Sequence, residues 1–114
     1  MMTEGSERLT AFPAFFRIAG KVAAVFGNGD EAFAKVRLLA NTQARIVVFA
    51  DAPEHDFRAY IETNGIEHIA APFDARQVEG ATLVFAATGD QALDAYIAAT
   101  ARSLKIPANA VDQP

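Results

Sequence analysis

Cysteine is missing from the 114-residue sequence, and histidine occurs only twice, at His55 and His68. Without cysteine there can be no disulfide, no zinc finger and no thiol nucleophile. Two histidines so far apart in the pattern do not indicate a metal site. We therefore expect no bound metal, and we expect both histidines to be surface or loop residues without a functional role.

Long hydrophobic runs and an excess of positive charge are also lacking. Arg17, Lys21 and Gly27 interrupt the longest apolar stretches, and none approaches the roughly 20 residues that span a bilayer. Residues 1–8 are polar and show no signal-peptide pattern. The net charge of −4 argues against nucleic-acid binding. These features predict no membrane or nucleic-acid partner and a cytoplasmic location.

The residues that are present describe one ordinary globular domain. Hydrophobic residues make up 52% of the sequence and charged residues 21%, which suits a single core in a chain of this length. Residues 1–10 are predicted to be a flexible lead, and residues 11–114 a single folded domain. The apolar segment at 11–18 contains Pro13 and predicts an extended segment or short strand at the edge of the core.

Apolar runs rich in β-branched residues alternate with helical patterns along the chain. Strands are predicted at 21–26, 44–50, 66–70, 81–87 and 106–111. Helices are predicted at 30–41, over about ten residues after Pro53, and at 91–103, and the loop at 72–80 has room for one helical turn. On the last helix the predicted inward face comprises Leu93, Tyr96, Ile97 and Thr100, and Leu104 extends it.

This alternation predicts the fold class. Strands that alternate with helices form parallel β-α-β units with right-handed crossovers. The sequence therefore predicts an α/β fold, a Rossmann-like three-layer α/β/α sandwich with a five-stranded, mainly parallel sheet. In such sheets ligands bind at the carboxyl ends of the strands, which gathers residues 27–31, 50–52, 88–90 and 109–112 at one edge.

A glycine turn follows the first predicted strand. Gly27-Asn28-Gly29 leads into a helix, and Ala32 stands where the dinucleotide fingerprint G-x-G-x-x-G/A has a small residue. Free N–H groups at the helix N-terminus, together with the helix dipole, favour a pyrophosphate there. The alternative interpretation is a tight strand-to-helix turn without a ligand, in which Asp30 and Glu31 only complement the helix dipole.

Asp51 ends the second predicted strand and has two possible roles. It could cap the helix after Pro53, or it could accept hydrogen bonds from the adenosine ribose and repel the 2′-phosphate of NADP. The second role predicts NAD rather than NADP, because no arginine directly follows the strand.

Several motifs in fixed order resemble the N-terminal domain of the siroheme synthase and precorrin-2 dehydrogenase family. They are Phe12-Pro13-Ala14-Phe15-Phe16 and the segments 27–32, 35–39, 72–74, 83–88 and 109–114.

The resemblance implies that residues 11–114 are an NAD-binding Rossmann domain, and that the activity is an NAD-dependent oxidation of precorrin-2 to sirohydrochlorin in sirohaem biosynthesis. By position it implies NAD contacts at Asp30, Glu31, Asp51 and Ala52, and a catalytic aspartate at Asp112. By composition alone, Asp112 is a turn residue. Thr88 and Asn109 are predicted to hydrogen-bond either backbone or cofactor.

The sequence also departs from the family's pattern. Asn28 replaces the middle glycine of the turn, a replacement that is tolerable because asparagine can adopt left-handed backbone angles, and Gly89 stands where the family commonly has an acidic residue. The sequence stops at Pro114, where the family continues into a dimerisation segment and a helical domain. We therefore expect a truncated part of a homodimeric parent.

Two functions outside this family stay open. One is a non-catalytic nucleotide-binding module, like the regulatory Rossmann domains of potassium uptake systems. The other is a structural Rossmann domain without a ligand.

Overall fold

The computed structural model describes residues 20–110. Its elements are β1 (Val22–Phe26), α1 (Asp30–Leu39), β2 (Arg45–Phe49), α2 (His55–Thr63), β3 (Glu67–Ile69), a short 3₁₀ helix (Ala75–Val78), β4 (Leu83–Ala86), α3 (Gln91–Ser103) and β5 (Ala108–Ala110). Every strand and helix predicted within this range is present, with ends that differ by a residue or two. The predicted lead, the segment around Pro13, and Asp112 lie outside the described residues.

The five strands form one sheet in the order β3-β2-β1-β4-β5. All four neighbouring pairs are parallel, so the predicted Rossmann-like sandwich is confirmed. Val25 in the central strand pairs with Val48 on one side and with Phe85 on the other. The strand order reverses between β1 and β4, and this reversal is the place where such sheets bind ligands.

Side chains of the central strands alternate between two cores, one on each face of the sheet. On one face Val25 and Val48 pack with Val36 of α1 and Phe57 of α2. On the other face the core includes Phe26, Val84, Val78 of the 3₁₀ helix, and Ile97 and Ala101 of α3. Helices on both faces explain why the strands are almost continuously apolar. Within residues 20–110, no helix has both the length and the apolar character that crossing a bilayer requires.

The predicted inward face of α3 is wrong in part. The buried residues of this helix are Asp94, Ile97, Ala98 and Ala101. Tyr96 and Leu104 are 55% and 47% exposed, and the Tyr96 ring packs edge-on against Phe73. The small alanines let the helix lie close to the sheet, and Asp94 turns inward because it is hydrogen-bonded to the end of β4.

Candidate functional site

An open cleft of about 290 Å³ lies at the carboxyl edge of the sheet, where β1, β2 and β4 end. Its polar wall includes Asn28, Asp51, Thr88 and Asp90. Its apolar part includes Phe26, Phe49 and Phe73. The Phe26 and Phe49 rings stack with centroids 4.7 Å apart, and Phe73 meets Phe26 edge-on at 5.4 Å. Apolar walls with a few polar groups are typical of cofactor sites.

Gly27 is the point where the end of β1 lies against the end of β4. Its φ is +146°, and a Cβ at this position would lie 2.0 Å from the carbonyl oxygen of Ala87. The Gly27 N–H donates to Phe49 O at 3.1 Å, and the Ala87 N–H donates to Phe26 O at 2.8 Å. Only glycine permits this close approach of the two strand ends.

Helix α1 begins directly after the glycine turn and leaves its N-terminus without a side-chain cap. Its N-cap is Gly29, and no side chain accepts a capping hydrogen bond there. Helix α3, by contrast, is capped by Asp90, whose carboxylate accepts from the Leu93 N–H at 3.1 Å. The first N–H groups of a helix have no acceptor within the helix. The N-terminus of α1 therefore fits an anionic group such as a diphosphate.

Asn28 joins the glycine turn to the loop after β2. Its Nδ2 donates to Asp51 Oδ1 at 3.0 Å, and its Oδ1 accepts from the Ala52 N–H at 3.0 Å. Its backbone carbonyl accepts from the Glu54 N–H at 2.9 Å. Left-handed backbone angles are not the reason that asparagine is tolerated at position 28, because Lys105 is the one non-glycine residue with positive φ between residues 20 and 110. The contribution of Asn28 is the two hydrogen bonds that its side-chain amide makes to the loop after β2.

Asp51 lies in the wall of the cleft, at the end of β2. The alternative role as a helix cap is wrong, because the N-cap of α2 is Glu54 and no side chain makes a capping bond there. The Asp51 carboxylate instead accepts from Asn28. His68 contacts the residue before Asp51, with Nε2 2.7 Å from the carbonyl oxygen of Ala50. Asp51 is thus held at the position that a ribose-binding acid occupies in Rossmann folds.

Thr88 reaches the cleft from the end of β4, and its hydroxyl is already engaged. Thr88 Oγ1 donates to Asp94 Oδ1 at 2.7 Å and accepts from the Asp90 N–H at 3.1 Å. The Thr88 N–H also donates to Asp94 Oδ1, at 2.8 Å. Sequence reasoning missed Asp94. Its spacing was the available signal. Asp94 lies three residues before Ile97 and seven before Ala101, and this spacing places all three on one face of the helix.

Three other predicted residues, Asp30, Glu31 and Asn109, do not line this cleft. Asp30 lines a second cleft, between α1 and α2, together with Glu54 and Phe33. The Glu54 carboxylate lies near the glycine turn, since a Cβ on Gly29 would be 3.3 Å from Glu54 Oε2. Asn109 lines a separate cleft beside α3. Glu31 is in the first turn of α1.

His55 is on the surface, as expected, and pairs with the exposed Asp56. In the part of the chain that the structure describes, no group of three or more His, Asp or Glu side chains is arranged to bind a metal ion.

The loop that carries Phe73 is fixed by the capped 3₁₀ helix. The Asp74 carboxylate accepts from the Arg76 N–H at 2.9 Å, and the Asp74 N–H donates to the Gln77 side chain at 3.1 Å. Gln77 also donates to Pro72 O at 3.2 Å. Hydrogen bonds from the Arg76 side chain and backbone lower the pKa of Asp74 from 3.8 to about 2.

A parallel sheet with a glycine turn at its switch point and an acid after the next strand defines a Rossmann-type nucleotide-binding domain. Residues 14–114 match the family model described as "Putative NAD(P)-binding". The chain belongs to this family.

Similar proteins include siroheme synthases. Those of Thioalkalivibrio sulfidiphilus and Pseudomonas aeruginosa are each 35% identical to this chain over 90% of its length, which covers 21% and 22% of the relatives. The chain thus spans about a fifth of the length of these relatives. The solved structure named "SirC, precorrin-2 dehydrogenase" superposes with a TM-score of 0.73 at 16% identity, over 90% of this chain and 50% of that one. The predicted resemblance is confirmed by the siroheme synthases, and the likeness to SirC shows the fold.

Proposed function

We propose that this chain is the NAD-binding domain of a precorrin-2 dehydrogenase that oxidises precorrin-2 to sirohydrochlorin in sirohaem biosynthesis. The names of its relatives and of its structural neighbour support the substrate and the reaction. The observation that carries the cofactor assignment is the bond between Asn28 and Asp51. It fixes the acid at the end of β2 against the glycine turn, so that one dinucleotide can contact both.

In this proposal the N–H groups of residues 27–31 hold the diphosphate, and the side chain of Asp51 accepts hydrogen bonds from the adenosine ribose. Ala52 and Thr88 flank these two groups. Bound NAD supplies the hydride acceptor for the oxidation. The chain's own residues orient the cofactor, and the negative charge of Asp51 disfavours the 2′-phosphate of NADP.

Asp112 is proposed as the catalytic residue because the resemblance places it in the family's Asn-x-x-Asp motif. A carboxylate within hydrogen-bond reach of the macrocycle can act as general base for the proton lost in the oxidation. We also propose that the chain works in the cytoplasm as part of a homodimer. Light scattering of the purified chain tests whether the chain dimerises by itself.

The first test is a calorimetric titration of the chain with NADH, NADPH, ATP and AMP. The proposal predicts that NADH binds more tightly than the other three nucleotides. Tighter binding of ATP or AMP would favour a regulatory nucleotide-binding module, and no binding at millimolar concentration would favour a structural domain.

The second test measures NADH formation from NAD and precorrin-2. Because the chain matches only part of its relatives, the assay uses a Pseudomonas aeruginosa siroheme synthase in which this chain replaces the matching segment. We expect turnover in this hybrid and its loss in the Asp112→Asn variant, with NADH affinity unchanged. Full turnover by Asp112→Asn would remove the catalytic assignment.

A further inference from the structure

Asp94 is a buried carboxylate to which the proposed chemistry assigns no role. The residue is completely buried in the first turns of α3. Its Oδ1 accepts two hydrogen bonds, both from Thr88: one from the backbone N–H at 2.8 Å and one from the hydroxyl at 2.7 Å. Its Oδ2 is buried and has no hydrogen-bond partner among residues 20–110.

The unpartnered oxygen shows that Asp94 is a poor choice for stability alone. A buried polar atom without a partner costs free energy, and the cost is larger for a charged group. Neighbouring positions on the same helix face are filled by Ile97, Ala98 and Ala101, which carry no such cost. A group of this kind in a native fold needs an explanation, and the two bonds to Thr88 supply it.

Those two bonds act on the glycine turn through a short series of contacts. Thr88 follows Ala87, whose carbonyl oxygen lies where a side chain of Gly27 would be. The Ala87 N–H is bonded to Phe26 O. Fixing Thr88 therefore fixes the backbone against which the turn at 27–29 packs. The Thr88 hydroxyl donates its proton to Asp94, so it has no donor to offer a ligand.

We propose that Asp94 is a positioning residue of the cofactor site, which acts through Thr88 and Ala87 to set the shape of the glycine turn for a diphosphate. This inference rests on the proposed function, because it assigns that turn to a dinucleotide. Thr88 then acts as a link between the buried acid and the turn, and its hydroxyl makes no hydrogen bond to the cofactor.

The test compares Asp94→Ala with Asp94→Asn. The amide is the conservative variant, since its oxygen can still accept both bonds from Thr88. We expect the NADH dissociation constant to rise roughly tenfold or more in Asp94→Ala, and to stay within about threefold of the parent in Asp94→Asn. Asp56→Ala, which removes an exposed charge, is the matched control and should bind as the parent does.

A second readout needs no ligand. The backbone amide resonances of Gly27, Asn28 and Gly29 should shift in Asp94→Ala and return towards the parent values in Asp94→Asn. If Asp94→Ala does not fold, Thr88→Ala removes only the hydroxyl bond, and it should move the same resonances while Thr88→Ser restores them. A residue with a merely structural role would change the melting temperature and leave the resonances of the turn in place.

The outcomes separate the inference from the proposed function. If the chain without substitutions does not bind NADH, the proposed function is removed. The amide resonances then decide whether Asp94 shapes the turn. A parent that binds NADH, with a folded Asp94→Ala variant that binds within about twofold of it, overturns the inference alone. Unchanged resonances at 27–29 in the folded variants overturn it as well.

Discussion

The side-chain amide of Asn28 donates a hydrogen bond to the carboxylate of Asp51 over 3.0 Å. The same amide accepts a bond from the N–H of Ala52 at 3.0 Å. The two residues belong to different β-α loops, so these bonds hold the loop after β1 and the loop after β2 as one surface. A dinucleotide that contacts both loops meets a site that is already formed, which reduces the entropy cost of binding.

Replacing Asn28 by Asp should weaken cofactor binding. The new carboxylate can still accept from Ala52, but it faces Asp51 with a like charge where the amide donated a hydrogen bond. We expect the NADH dissociation constant to rise roughly tenfold or more, as measured by calorimetry. Asn41→Asp adds the same charge at an exposed position after α1 and should bind NADH as the parent does. Equal affinity of the two variants would contradict the prediction.

Replacing Asp51 by Asn should lower the preference for NADH over NADPH. The amide removes the negative charge that repels the 2′-phosphate. The ratio of the two affinities should fall by about tenfold, mostly because NADPH binds more tightly. Asp56→Asn, at an exposed position of α2, controls for the loss of one charge. An unchanged ratio in Asp51→Asn would place the ribose away from this residue.

Replacing Gly27 by Ala should destabilise the fold. The added Cβ would lie 2.0 Å from Ala87 O, at a φ of +146° that side chains rarely adopt. We expect the free energy of unfolding to fall by about 2–4 kcal/mol, as measured by chemical denaturation. Gly80→Ala, with nothing within 4 Å of the added atom, should stay within about 0.5 kcal/mol of the parent. Similar losses of unfolding free energy in the two variants would contradict the close approach of Gly27 to Ala87 O.

Replacing Glu54 by Gln should strengthen cofactor binding. The Glu54 carboxylate lies beside Gly29, close to the N–H groups that are proposed to hold the diphosphate, and like charges repel. We expect the NADH dissociation constant to fall by about threefold at low salt, with a smaller change at high salt because the residue is exposed. Glu62→Gln, which removes an exposed charge from helix α2, is the control. A tighter complex in both variants would indicate an effect of net charge alone.

Asp74 should make a small contribution to stability that disappears in acid. Its pKa is lowered to about 2 in the folded protein from an ordinary value of 3.8, mainly by the Arg76 side chain. A carboxyl with a lowered pKa stabilises the fold above its ordinary pKa, and this effect is lost as the pH falls towards the lowered value. The stability difference between the parent and Asp74→Asn should therefore be constant near neutrality and shrink between pH 3.8 and about 2. A stability difference between the two proteins that grows as the pH falls would contradict the prediction.

The sequence predicted the fold well because its strongest signals are local. Continuous apolar strands such as Val22–Phe26 and the glycine turn after them depend on neighbouring residues, and both are present in the structure. Asn28 lines the cleft at the predicted edge of the sheet, but its suitability for the turn was attributed to backbone angles. The amide bond to Asp51 joins residues that are 23 positions apart, and no local pattern encodes such a contact.

The inward face of α3 shows the same limit. Large apolar side chains such as Tyr96 suggested one face, whereas tertiary contacts buried a set of side chains that shares only Ile97 with the predicted one. The bond from Asp94 to the end of β4 and the packing of Tyr96 against Phe73 both depend on elements that lie elsewhere in the chain. Asp94 was overlooked because a carboxylate in a helix is ordinarily assigned to the solvent-exposed side.

The aromatic rings at the cleft continue to the protein surface. Phe49 stacks on Phe26, Phe26 meets Phe73, and Phe73 meets the half-exposed Tyr96 with centroids 5.7 Å apart. The sequence contains no tryptophan and only two tyrosines. Tyr96 is therefore one of two natural fluorophores, and ring contacts connect it to the interior of the cleft, so that the change in its emission offers a label-free optical signal of what occupies that space.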